Sequence, residues 1–239
     1  MRPVPRQVLV HRAGFPSVTD AHRPLQLGFV ISERSVSRFM PKKKRKPSSQ
    51  TWRTFLDNHV GTLASIDFFT VPTATFRVLF VFLVLRHDRR RVAHFNVTEF
   101  PSAAWTAQQI IEAFPEDTAP EYMIRDRDGI YGQRFRDRVE AMGIDEVLTA
   151  PHSPWQNAYT ERLVGSIRRE CLDHVIVLGE CHLGRILKGY FAYYHKSRMH
   201  LSLVKDAPES RAVHPPSMGK VVALPKIGGL HHLYVRQAA

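Results

Sequence analysis

Leu63-Ala64-Ser65-Ile66-Asp67-Phe68-Phe69-Thr70-Val71 is the stretch that decides the fold. It is rich in β-branched and aromatic side chains and is closed by Pro72-Thr73, which reads as a strand ending in a turn. Two similar runs follow, Arg77 to Leu85 and Arg91 to Val97, separated by the turn signal His87-Asp88. Three consecutive strands joined by short turns predict an antiparallel meander.

Downstream the period changes. Ser102 is placed to cap a helix over Ala103 to Phe114, with Ala107, Ile110, Ile111 and Phe114 on one face. A strand at Tyr122 to Ile124, a helix at Gln133 to Met142 and a strand at Glu146 to Thr149 come next. A helix beginning near Gln156 and another from Leu183 to His195 complete the pattern. Strands first, then alternating helix and strand, predict an α/β protein with a mixed sheet covered by helices on both faces.

Upstream, Pro3, Pro5, Pro16 and Pro24 interrupt any helix, so residues 1–28 read as partly disordered. Ile31 to Met40 reads as one short helix capped by Ser32, with Val36, Phe39 and Met40 on its apolar side. Lys42-Lys43-Lys44-Arg45-Lys46 then lies between Pro41 and Pro47 as a basic linker. The expected division is a basic arm over 1–50, a catalytic core over 51–205 and a C-terminal tail over 206–239.

The 239 residues are 44% hydrophobic and 10% aromatic, enough for a buried core. Lys and Arg number 34 against 22 Asp and Glu, for a formal charge of +12, of which +9 falls within residues 1–60. Such an arm fits a polyanionic partner, and DNA is the expected one. Cys171 and Cys181 are the two cysteines and sit in helical sequence, which supports neither a disulfide framework nor a cysteine zinc site. The longest apolar run, Val78 to Leu85, is too short to cross a bilayer, and no signal-peptide core opens the chain. A protein of the cytoplasm with no membrane partner is expected.

Three acidic positions stand in unusual settings. Asp67 lies among Ile66, Phe68 and Phe69, where a carboxylate is costly unless it has a partner or a metal, or unless strand alternation turns it to an exposed face. In Met123-Ile124-Arg125-Asp126-Arg127-Asp128-Gly129 an apolar strand runs into a charged turn, and either aspartate could serve a metal. In Ser153-Pro154-Trp155-Gln156-Asn157-Ala158-Tyr159-Thr160-Glu161-Arg162, a helix from Gln156 sets Asn157, Glu161, Gly165 and Arg168 on one stripe. Carboxylates converging from rigid elements are what hard divalent cations need, and paired cations are the usual means of breaking and joining DNA phosphodiesters.

These strings, followed by Gly165-Ser166-Ile167-Arg168-Arg169-Glu170-Cys171-Leu172-Asp173, Tyr193-Tyr194-His195 and His200-Leu201-Ser202-Leu203, resemble the DDE-type integrase core of bacterial insertion-sequence transposases, relatives of retroviral integrases. The resemblance implies a ribonuclease H-like fold in which Asp67, Asp126 and Glu161 are catalytic and hold Mg2+ or Mn2+. Asp126 is taken over Asp128 because 34 residues separate it from Glu161, the family's usual spacing, against 32 for Asp128. The resemblance further implies metal-activated attack of water or a DNA 3′-hydroxyl on a phosphodiester, a homo-oligomer assembled on DNA, and a place at the bacterial nucleoid. By the same analogy Asn157 and Arg168 are DNA contacts on the catalytic helix, alongside phosphate contacts from Lys42 to Lys46.

The family's upstream helix-turn-helix is matched only by Ile31 to Met40. Two alternatives therefore accompany transposition and integration: a catalytically silent DNA-binding derivative, and a nuclease of the ribonuclease H type that cuts without joining. His182, His195, His200, His231 and His232 follow no zinc spacing and read as structural or surface residues.

Overall fold

A computed structural model describes residues 51–151 and 153–238; the helix expected at Ile31 to Met40 and the basic run Lys42 to Lys46 lie outside the described residues. Helix α1 (Trp52–His59) is capped by Thr51, whose hydroxyl accepts the Thr54 N–H at 3.2 Å. Its Phe55 and His59 rings pack on Tyr122 at centroid distances of 5.4 and 4.5 Å.

Five strands form the main sheet: β1 (Leu63–Pro72), β2 (Val78–Arg86), β3 (Arg91–Thr98), β4 (Tyr122–Arg125) and β5 (Asp145–Leu148), in the order β3-β2-β1-β4-β5. The first three pair antiparallel, as the meander requires, while β4 and β5 add on parallel to β1. Helices α2 (Ala103–Ala113) and α3 (Gln133–Ala141) supply the crossovers of the parallel part. Helices α4 (Ala158–Glu170) and α5 (Glu180–Lys196) follow β5. The helix expected from Gln156 begins instead as a 3-10 turn over Pro154–Asn157 and becomes α-helical at Ala158.

The sheet is buried on both sides, and the period of two in β2 shows it. Leu79, Val81, Leu83 and Leu85 join Phe69 and Val71 of β1 against Leu163, Ile167, Leu183, Leu187 and Tyr190 of α4 and α5. Phe82 and Val84 turn the other way, with Ala64, Ile66 and Met123, onto Ile110 of α2 and Phe135 and Val139 of α3. Each such apolar side chain contributes roughly 1.5–3 kcal/mol when removed from water. A strand facing two cores reads as the unbroken apolar run seen at residues 78–85.

Polar contacts fix how α4 sits on the sheet. The Ser65 and Thr160 hydroxyls are 2.5 Å apart, and His87 Nε2 meets the Ser65 hydroxyl at 3.0 Å. The His87 ring stands edge-on to Tyr159, whose other partner is the Arg90 guanidinium, 3.7 Å from the ring centre. At the far end of α4, Arg198 donates to both carboxylate oxygens of Glu170 (2.6 and 2.8 Å) and to Ser166, while the Tyr190 hydroxyl donates to Glu170 at 2.9 Å. Burial alone would raise the Glu170 carboxyl, but the Arg198 and Tyr190 hydrogen bonds hold it below its ordinary range. His195 Nε2 accepts the Val92 N–H at 3.0 Å and ties α5 to β3.

Residues 206–239, read as a tail, contain a hairpin of β6 (Lys220–Lys226) and β7 (His231–Gln237) in a separate two-stranded sheet. Gly228 and Gly229 turn it at φ +61° and +92°, a region open to glycine at little cost. None of its residues is fully buried, so no apolar strand pattern announced it. The His231 ring stacks on Tyr193 at 4.6 Å, and its Nε2 lies 2.9 Å from the Glu170 carbonyl oxygen. Arg89 holds the segment before the hairpin, donating to the Pro208 and Ala207 carbonyls and to the Asp206 and Ser210 side chains at 2.7–2.8 Å. Among the described residues, no helix is long and apolar enough to cross a membrane.

His87 carries a testable consequence. Burial, reinforced by Arg90, pushes its imidazole down to about 4 from 6.5. A depressed histidine contributes stability that is full above pH 6.5 and is lost as pH falls towards 4, by at most about 3 kcal/mol. Relative to wild type, His87→Gln should therefore gain stability between pH 7.5 and pH 4.5, measured by urea unfolding at both values; parallel pH profiles would show that His87 does not titrate in this way.

Candidate active site

The parallel ladder between β1 and β4 runs Leu63↔Tyr122, Ala64↔Met123, Ser65↔Ile124 and then stops. Continuing that register by two residues sets Asp67 opposite Asp126. β1 itself goes on to Pro72 because β2 still braces it on its other edge. Asp67 is thus fixed on a rigid antiparallel pair while the space beside it opens, the crevice at strand carboxyl ends where α/β sheets place ligands. By alternation Asp67 shares its face with Ser65 and Phe69, the face that α4 covers. The outward-facing alternative therefore does not hold: Asp67 is half-buried.

One oxygen of the Asp67 carboxylate accepts the Phe68 N–H at 2.8 Å. Its acid constant is nevertheless pushed up to about 7, first by burial and then by the charge of Asp126, with smaller contributions from Glu161 and Asp128. The fold thus brings Asp67 within electrostatic reach of Asp126, Asp128 and Glu161. Glu161 is exposed in the first turn of α4. Asp126 and Asp128 are exposed on the turn after β4, where Asp126 Oδ1 accepts the Asp128 N–H at 3.1 Å and Asp128 Oδ1 accepts the Ile130 N–H at 2.9 Å.

Two neighbours were not singled out from the sequence. Arg125 is 5% exposed, paired with Glu146 of β5, and donates to the Asp126 carbonyl at 2.9 Å. Its guanidinium lies 5.1 Å from the Tyr131 ring centre and 5.7 Å from that of Phe135. Arg125 and Glu146 are not directly opposite in the ladder, where Arg125 stands against Leu148 and Glu146 against Met123, so the sequence carried no local signal of the pair. Tyr131 is 4% exposed and packs between Phe68 and Phe135.

The expected stripe on α4 is divided. Arg168 is exposed, donates to the Thr70 carbonyl at 3.1 Å and lies 5.7 Å from the Phe69 ring centre. Asn157, grouped with it as a DNA contact, is 6% exposed and turned inward. Its Nδ2 donates to the Ile66 carbonyl at 3.3 Å, at the point where the β1–β4 ladder ends. Burial gives it the part of a spacer between β1 and the start of α4 rather than a surface contact. At Gly165 an added Cβ would meet only the tip of the flexible Arg169 side chain, at 3.1 Å.

Among the described residues, no three His, Cys, Asp or Glu side chains are gathered into a closed ligand set. In the turn, Asp126 and Asp128 each commit an oxygen to the backbone, and Asp67 is raised first by its burial. The chemistry of the donors still fits a hard divalent cation. Carboxylates are the donors such ions take, and among the described contacts no arginine or lysine is hydrogen-bonded to Asp67, Asp126 or Glu161.

The chain scores a TM-score of 0.52 at 13% identity against a chain of the simian T-cell lymphotropic virus intasome in complex with PP2A regulatory subunit B56 gamma, covering 74% of this chain and 66% of that one. Against the catalytic domain of Mos1 mariner transposase the TM-score is 0.50 at 14% identity, covering 59% and 77%. The fold is that of an integrase core. Residues 142–208 of this core match the integrase core domain family, a stretch that contains Glu161 and α4. In sequence the chain is 23% identical over 229 residues to an uncharacterized 39.2 kDa protein of insertion element IS476 from Xanthomonas euvesicatoria. That match takes in 92% of this chain and 63% of the relative, so the chain spans less than two thirds of its length.

The raised Asp67 gives a second expected outcome. A carboxyl that folds at about 7 against 3.8 unfolded favours the native state in acid, and that contribution is lost as pH rises from about 4 to about 7. With chelator present, Asp67→Asn should melt a few degrees above wild type at pH 8 and close to it at pH 4. Differential scanning calorimetry showing equal melting at both values would mean that Asp67 is not held in repulsion.

Proposed function

We propose that this chain carries out DNA transposition or integration by phosphodiester hydrolysis and strand transfer. What supports this reading is that the β1–β4 register, continued by two residues, sets Asp67 opposite Asp126, and that Asp67, raised first by burial, also feels the charges of Asp126 and Glu161. Asp67, Asp126 and Glu161 would hold Mg2+ or Mn2+. Such ions, when bound, stabilise the attacking and leaving oxygens of an in-line displacement.

The protein's own residues then have separable tasks. Asp67 supplies a carboxylate from a strand that cannot move, and Asp126 one from the turn beside it. Glu161 supplies the third from α4, whose seat on the sheet is fixed by the Ser65–Thr160 contact. Asn157 keeps the crevice open by occupying the Ile66 carbonyl. Arg168, exposed further along α4, offers a guanidinium to a DNA phosphate. Lys42, Lys43, Lys44, Arg45 and Lys46 provide affinity through the backbone of any duplex, and the enzyme acts as a homo-oligomer on DNA in the bacterial cytoplasm.

Asp67→Asn, Asp126→Asn and Glu161→Gln should each abolish Mg2+-dependent nicking of a duplex while leaving DNA binding intact, and the losses should not add. Asp128→Asn should keep substantial activity, because Asp126 stands directly at the end of β4 and has the family's 34-residue spacing to Glu161. Full activity in any of the first three removes that residue from the site, and a dead Asp128→Asn beside an active Asp126→Asn reverses the assignment.

Replacing the five basic residues of 42–46 by serine should flatten the slope of log K against log salt by up to roughly 4–5 units, equally for unrelated duplexes. An unchanged slope in fluorescence-anisotropy titrations would place the phosphate contacts elsewhere.

A further inference from the structure

Tyr131 is the one buried tyrosine whose hydroxyl is left without a hydrogen-bond partner among the described residues; the Tyr190 and Tyr194 hydroxyls both have one. At 4% exposure such an orphan costs about 1–3 kcal/mol, and phenylalanine would fill the same space without it. The ring is held firmly: it lies 5.8 Å from Phe68 and 5.0 Å from Phe135, with Arg125 on it at 5.1 Å. Its backbone N–H donates to the Asp128 carbonyl at 3.3 Å. Tyr131 therefore belongs to the turn that carries Asp126 and packs against the residue that follows Asp67. Of the charges acting on its hydroxyl, that of Asp67 is the largest and that of Asp126 the next; burial and these charges keep the phenol protonated. A protonated phenol has one hydrogen to give.

We propose that Tyr131 is a positioning residue of the carboxylate site, its hydroxyl donating to the Asp67 carboxylate when a divalent cation is bound. The inference rests on the reading of Asp67 and Asp126 as ligands. Asp67 already accepts from Phe68 N–H through one oxygen, so a second donor from the side of the turn fixes the carboxylate plane and decides which lone pairs remain for the ion. The hydroxyl is a donor kept in reserve: it costs the metal-free chain stability and returns it on loading.

The test is Tyr131→Phe in the full chain, read by Mn2+ titration calorimetry and by thermal melting in chelator, with Asp67→Asn alongside. The variant should melt in chelator at or above the wild-type temperature, because it loses only an unpartnered hydroxyl, and should bind Mn2+ about 10-fold or more weakly. Wild-type Mn2+ affinity in Tyr131→Phe, with binding lost in Asp67→Asn, overturns the role of Tyr131 and leaves the ligands standing. Melting well below wild type in chelator also overturns it, since the hydroxyl would then have a structural partner. A wild-type titration indistinguishable from that of Asp67→Asn overturns the ligand reading itself, and the role of Tyr131 with it.

Discussion

Asp67 is a carboxyl held half-buried, its acid constant raised first by that burial and then by the charge of Asp126, and the frame around it keeps it there. A carboxylate on a free loop would relieve the strain by swinging into water. Asp67 cannot, because β1 is hydrogen-bonded to β2 along Ala64 to Pro72 and its next residues pack into both cores. Asp126 follows directly on β4, which is parallel to β1 and in register with it, so the sheet carries the turn that bears this acid to the side of Asp67. Only Glu161 comes from a helix, and only its seat needs separate fixing.

That fixing is done by small polar side chains in otherwise apolar surroundings. Ser65, Thr160 and His87 form a chain of close contacts under α4, while Arg198, Tyr190 and Ser166 bind its far end through Glu170. Removing one member of such a network leaves buried donors unpaired, which costs more than the bond contributed. The helix is thus located at both ends, and Glu161 and Arg168 are carried on a rod whose rotation is fixed. The C-terminal hairpin bears on the same rod through His231 and the Glu170 carbonyl.

Much of this was legible in the sequence. Strands β1 to β5 and helices α2 to α5 were readable because each carries a strong period and a turn or cap signal, and an acid between Ile66 and Phe68 is conspicuous for its cost. What was not legible depends on pairing between distant elements. Nothing local says that Arg125 will meet Glu146, that Asn157 will turn inward to the Ile66 carbonyl, or that Tyr131 will lie against Phe68. The α4 stripe was drawn from an ideal helix starting at Gln156; the 3-10 turn over Pro154–Asn157 rotates Asn157 off that stripe, which is why it is buried while Glu161 and Arg168 are exposed. The hairpin at 220–237 escaped because neither face is fully buried and its alternation is correspondingly weak.

Arg125 bears on why the crevice stays negative. A buried guanidinium one residue from Asp126 might be thought to neutralise the acids, yet it is paired with Glu146 on the opposite side and gives the turn only a hydrogen bond to the Asp126 carbonyl. Its charge goes to holding β4 to β5 rather than to the acids. Under the proposed reading, such a crevice would gain stability from a bound cation, because a ligand that binds only the native state adds RT ln(1 + [L]/Kd) to stability. Stability is given up at this one crevice, while the meander and the two apolar faces of the sheet supply the margin that makes the loss tolerable.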